Sequence, residues 1–223
     1  MKWLIDCDVV AVPAQPGLPV LQRPGSADTV VPIKENDEPL VSLAGVVRTH
    51  PVYSWLGFRQ VTGEMQVRAG VLDRLDRASR RLPPEFEIVV IDAHRTRAFQ
   101  AELWAHYSAA TTATSLGGFV ADPWGDSPVP PHVTGGAVDL TLGWRGAVLG
   151  LGTDFDAFLP DAAPAALEAQ AGRTARDLRR LLAGSLHAEG MAVIGSEWWH
   201  WSYGDQYWAA ITGAPAAIYD EIT

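Results

Sequence analysis

The chain has 223 residues, 48% of them hydrophobic and 19% charged, which is enough to enclose a hydrophobic core in one domain. A formal net charge of -9 and the lack of any Lys/Arg run exclude nucleic acid as a partner, because such binders need a basic footprint to neutralise phosphates. No window reaches the ~18 consecutive apolar residues of a membrane span, and the apolar start is broken by Asp6 and Asp8, so a cytoplasmic protein with no membrane partner is expected.

The lone cysteine, Cys7, rules out an intramolecular disulfide. Its two acidic neighbours, Asp6 and Asp8, raise a thiol pKa, so it reads as inert. Residues 1–45 are rich in Pro, Val and short turns, and read as an extended arm (1–30) or short edge strands, not a separate domain. A helix is expected from Gly63 to Leu82, where Met65, Val67, Val71, Leu72, Leu75 and Ala78 recur at near-helical spacing, and Pro83-Pro84 ends it. Glu87–Asp92 is short, apolar and β-branched, a buried strand. Ala98–Tyr107 reads as helical. From 109 to 131 the pattern dissolves into Thr, Gly, Ser and Pro, an irregular loop that is either a binding segment or a surface insertion.

Ala137–Leu142 alternates as a strand that carries Asp139. A second long helix is expected from about Thr174 to Glu189, stopped by Gly190. Met191–Ile194 and Trp198–Tyr203 are candidate strands. Helices and strands are mixed without regular βαβ alternation and without an internal repeat, so the expected class is α+β in one domain spanning 1–223.

The chemistry concentrates in two segments. In His132-Val133-Thr134-Gly135-Gly136-Ala137-Val138-Asp139, a turn at the glycines can bring an imidazole and a carboxylate to one ion. In Ser196-Glu197-Trp198-Trp199-His200, a carboxylate precedes an imidazole by three residues. His132, Asp139 and His200 as ligands leave a fourth position for water, the pattern of a catalytic Zn2+ site, where the water pKa falls to about 7. Glu197 then serves as general base and general acid, its pKa raised by the tryptophans around it. Taken singly, each histidine reads better as core and Asp139 as a turn cap; taken as a set, they point to a metal site.

Arg95, at the end of the Glu87–Asp92 strand, is placed to stabilise an oxyanion. Arg97 competes for that role but reads better as a solvent-exposed helix start. His94 is either an orienting or a packed residue, and His50, His106 and His187 lack companions at ligand spacing. In Gly152-Thr153-Asp154-Phe155-Asp156 an acid can accept a substrate ammonium, although a turn cap explains the segment on sequence grounds alone.

Together these residues resemble a known family. His132-x-x-Gly135-x-Ala137-x-Asp139 and Glu197-Trp198-Trp199-His200 are similar to the two zinc motifs of the D-Ala-D-Ala dipeptidases associated with vancomycin resistance and cell-wall turnover. Asp92-Ala93-His94-Arg95 is similar to that family's Asp-Gly-Tyr-Arg, Gly152–Asp156 to its Gly-Ser/Thr-x-Phe-Asp turn, and Val31–Glu35 to its entry segment. The resemblance implies a central antiparallel sheet of the D,D-peptidase and hedgehog-like type, and zinc held by His132, Asp139 and His200. It also implies Glu197 as base, Arg95 at the transition state, and Asp156 on the ammonium of a small dipeptide. Pro130 stands where the family has Ser or Thr, His94 where it has Tyr, and Thr96 where it has Pro. A D,D-carboxypeptidase or endopeptidase acting on peptidoglycan stems, and a non-catalytic zinc-binding interaction domain, are the alternatives. Asp156 counts against the first and Glu197 against the second.

Overall fold

The computed structural model describes residues 2–25, 30–110, 120–124 and 128–222. The expected irregular loop at 109–131 therefore falls largely outside the described residues. In chain order the strands are β1 (Ile5–Asp6), β2 (Leu40–Ser42), β3 (Arg48–Thr49), β4 (Gln66–Arg68), β5 (Phe86–Asp92), β6 (Ala137–Trp144), β7 (Ala147–Gly150), β8 (Ala192–Val193) and β9 (His200–Ser202). The helices are α1 (Val52–Leu56), α2 (Ala69–Arg81), α3 (Arg97–Ala110), α4 (Thr174–His187) and α5 (Gln206–Thr212).

The sheet is built on β6, which is buried along its whole length. One edge of β6 pairs antiparallel with β5; the other pairs with β9 through Ala137–Asp139 and with β7 through Gly143–Trp144. Burial on both faces explains the near-continuous apolar character of β5: Ile88, Val89, Val90 and Ile91 are all sealed in the core. The expected mixed α and β class and antiparallel centre are present. The edges differ, since β1 on β7 and β3 on β5 are parallel pairs supplied by the N-terminal 49 residues.

The helix expected from Gly63 begins only at Ala69, and Gln66–Arg68 is a strand pairing antiparallel with β2. Val67 and Val71 lie four apart, a spacing that fits a helix face, yet Val67 is buried as a strand residue and Val71 as a helix residue. The second long helix ends at His187, and Gly190 takes the left-handed conformation (φ 76°) that lets the chain turn back into β8. The strand expected at Trp198–Tyr203 is confined to His200–Ser202, because Trp198 N–H turns away to the Ala162 carbonyl.

Cys7 is fully buried, and burial first, then Asp8 and Asp6, pushes its thiol up to about 12. Among the described residues no helix is long and apolar enough to cross a membrane.

Candidate metal centre and active site

Strand register creates the site. Asp92 on β5 stands opposite Asp139 on β6, and Asp139 stands opposite His200 on β9. Directly opposed residues share a face of the sheet, so three polar side chains form one row across three strands.

His132 joins this row from the one-turn helix Pro131–Thr134 that leads into β6. Pro130 and Pro131 preset the backbone there, and Pro130's carbonyl accepts the Val133 N–H. Gly135 closes the turn at φ 71°, where a Cβ would lie 2.6 Å from Leu40 Cδ2, so only glycine fits. The turn is locked to the end of β5, with Arg95 N–H donating to the His132 carbonyl (3.1 Å) and His132 Nδ1–H donating to the Ala93 carbonyl (2.7 Å). A carbonyl only accepts, so this contact fixes the tautomer and leaves Nε2 with its lone pair facing inward.

Three candidate ligand atoms converge. His132 Nε2 lies 3.3 Å from His200 Nδ1 and 3.4 Å from Asp139 Oδ1, and the last two are 3.3 Å apart. A tetrahedral ion with ligand bonds of 2.0–2.1 Å has ligand–ligand edges of about 3.3–3.4 Å, so the triangle has the right size for zinc. Asp139 Oδ1 is buried without a hydrogen-bonding partner, a costly arrangement that a cation relieves. Burial raises the Asp139 pKa, but His132, His200 and Arg95 outweigh it and hold the carboxyl well below the usual range. Burial also lowers the His200 pKa, which keeps the imidazole in its neutral, ligating form. The residues fit a metal ion of this kind.

Around the triangle stand the other expected residues. Glu197 is buried, its Oε1 has no hydrogen-bonding partner, and its Oε2 is 3.9 Å from His200 Nδ1. Burial, then the charges of Asp139 and Asp156, push its pKa well above the carboxylate range. Arg95 is buried in a cage of acceptors. Its Nε donates to Asp92 Oδ2 (2.6 Å), Nη2 to Asp139 Oδ2 (3.0 Å) and Nη1 to Gln100 Oε1 (3.0 Å). Burial opposes its charge, yet Asp92, Tyr53 and Asp139 more than restore it. Tyr53 links the guanidinium to Asp156: its ring centroid is 5.5 Å from Arg95 Cζ, and its hydroxyl donates to Asp156 Oδ2 (2.7 Å). The Tyr107 hydroxyl donates to the same oxygen.

The tryptophans beside Glu197 are structural clamps. Trp198 Nε1–H donates to Thr153 Oγ1 (2.8 Å) and Trp199 packs on Phe155, so the Glu197–His200 segment grips the Gly152–Asp156 turn. Asp154 caps the N-terminal arm rather than facing the site, accepting Trp3 N–H and Leu4 N–H at 2.7 and 2.9 Å.

Arg97 is not the free helix start expected: half-buried, it pairs with Glu221 and donates to the Pro123 carbonyl. Thr96, the departure from the family's proline, earns its place as a helix cap, its Oγ1 accepting Phe99 N–H. His94 is pushed down to about 4 by burial and lines a small cavity of about 80 Å³ with Asp92 and Tyr53. His50, His106 and His187 make local contacts to Trp3, Phe58 and Met191. Sequence reasoning missed Tyr53, Tyr107 and Gln100. Each is one polar residue on an otherwise ordinary helix, and only tertiary folding shows where it points.

Comparison with known proteins agrees with this geometry. Residues 79–217, more than half of the chain, match the Peptidase M15 family, described as D-ala-D-ala dipeptidase. A D-alanyl-D-alanine dipeptidase of Synechocystis sp. is 32% identical over 216 residues, covering 80% of this chain and 87% of that protein. Every residue of the site except Tyr53 falls within the matched region. The chain belongs to the Peptidase M15 family of D-Ala-D-Ala dipeptidases.

Proposed function

We propose that the protein is a zinc-dependent dipeptidase that hydrolyses D-alanyl-D-alanine or a similarly small dipeptide. The observation that carries this reading is the triangle of His132 Nε2, Asp139 Oδ1 and His200 Nδ1, with edges of 3.3–3.4 Å, set beside a buried carboxyl. His132, Asp139 and His200 hold the ion, which when bound supplies Lewis acidity that lets water lose a proton near neutral pH.

Glu197 Oε1 takes that proton and later returns it to the leaving amine. Its raised pKa lets it hold the proton between the two steps. Arg95 spends three N–H groups on Asp92, Gln100 and Asp139, and turns its remaining hydrogens toward the carbonyl oxygen as charge develops there. Asp156 receives the free ammonium, with Tyr53 and Tyr107 fixing one of its oxygens. A carboxylate that holds the free ammonium next to the scissile bond favours dipeptides over longer chains.

The direct test compares D-Ala release from D-Ala-D-Ala by zinc-loaded protein and by its Glu197→Ala variant. The variant should retain zinc and lose about 10²–10⁴ in rate. Equal rates would overturn the role of Glu197, and no release from any dipeptide would overturn the activity.

A further inference from the structure

We propose that Gln100 is a positioning residue for Arg95, and that it ties the guanidinium to the backbone of Ala121. The inference rests on the reading of Arg95 as the group that faces the developing oxyanion. A guanidinium anchored only by Asp92 at Nε and Asp139 at Nη2 is held along one side, and its Nη1 end is free to tip. Gln100 Oε1 accepts from Nη1 at 3.0 Å and supplies the third point that fixes the plane. It does so without a further negative charge, so it does not draw the cation's field away from the substrate.

The direction of the Gln100 amide is itself determined. Its Nε2 donates to the Ala121 carbonyl at 2.8 Å. A carbonyl can only accept and a guanidinium can only donate, so the flipped amide would set donor against donor at Arg95 and acceptor against acceptor at Ala121. Gln100 is 1% exposed, so water cannot relieve either clash. Both ends of the side chain are thus committed to groups outside its own helix. The placement of Ala121 sets the amide, and the amide sets the guanidinium. Arg97, one turn earlier on α3, reinforces the arrangement by binding the Pro123 carbonyl two residues on.

The test uses zinc-loaded protein and D-Ala-D-Ala, with Gln100→Leu and Gln100→Glu. Leucine removes both hydrogen bonds, and kcat should fall about ten- to a hundredfold with KM and bound zinc within twofold of wild type. Glutamate keeps the acceptor for Arg95 but adds the negative charge that glutamine avoids and loses the donor to Ala121, so kcat should fall between those of the leucine variant and wild type. The decisive arm repeats Gln100→Leu in an Arg95→Ala background, where it should cost nothing further. An equal loss of kcat in both backgrounds, or unchanged kcat in Gln100→Leu, overturns the proposal while leaving the dipeptidase reading intact. A wild-type protein inactive on every dipeptide overturns that reading, and the proposal with it.

Discussion

Asp156 gives the sharpest pH prediction. Burial pushes its carboxyl up, hydrogen bonds from Tyr107 and Tyr53 pull it back, and the balance stands at about 7. If Asp156 receives the ammonium as proposed, it does so in its ionised form, so recognition is full only well above pH 7 and is lost as the pH falls through it. With a pKa of about 7, the group is about nine-tenths ionised at pH 8 and about one-tenth ionised at pH 6. Affinity for an ammonium-bearing ligand should therefore fall about tenfold between those values. Glu197 and the metal site titrate too, so substrate KM alone is a poor readout. The assay compares inhibition constants for a phosphinate dipeptide analogue and its des-amino counterpart, which share every contact except the ammonium. Their ratio should shrink about tenfold from pH 8 to pH 6 in wild type, and be small and flat in Asp156→Asn. Asn is a fair probe, because Asp156 sits at φ 55°, a conformation that asparagine tolerates. A ratio that is flat in wild type, or that varies equally in the variant, would refute the assignment of the ammonium to Asp156.

Two further outcomes follow from the same geometry. Adding zinc to metal-free protein should raise the thermal midpoint, by a stabilisation of about 2.7 kcal/mol at a hundredfold excess over Kd, and Asp139→Asn should abolish most of that rise in calorimetry. Gly135→Ala forces a side chain into a position with φ 71° and 2.6 Å from Leu40 Cδ2; it should destabilise the fold by about 1–3 kcal/mol and weaken zinc binding by displacing His132, both measurable by chemical denaturation and metal titration.

What the sequence displayed was composition and local spacing. The buried strand β5 was visible because Ile88, Val89, Val90 and Ile91 are contiguous and apolar. The proposed ligands were visible because two segments, His132–Asp139 and Glu197–His200, each pair an imidazole with a carboxylate. The register that brings them together was not, because β9 reaches β6 across more than fifty intervening residues and no local pattern encodes that pairing. The parallel edge strands β1 and β3 are equally long-range, and each is only two residues long. The helix start was misplaced by a coincidence of period: residues four apart face one way on a helix, and here a strand meets a helix with no break in the apolar pattern.

The tryptophans of the Glu197–His200 segment show why motif and mechanism should be separated. Read from sequence, they form an apolar wall that raises the Glu197 pKa. Folded, Trp198 is hydrogen-bonded to Thr153 and Trp199 is packed on Phe155, so their larger task is mechanical. They join the segment carrying Glu197 and His200 to the turn carrying Asp156. If Asp156 receives the ammonium and His132, Asp139 and His200 hold the metal, as proposed, the two sites are joined through these contacts, and the fold sets the distance between them. A site preorganised in this way selects its substrate by length, since only a peptide whose amino end and scissile carbonyl match that distance can reach both.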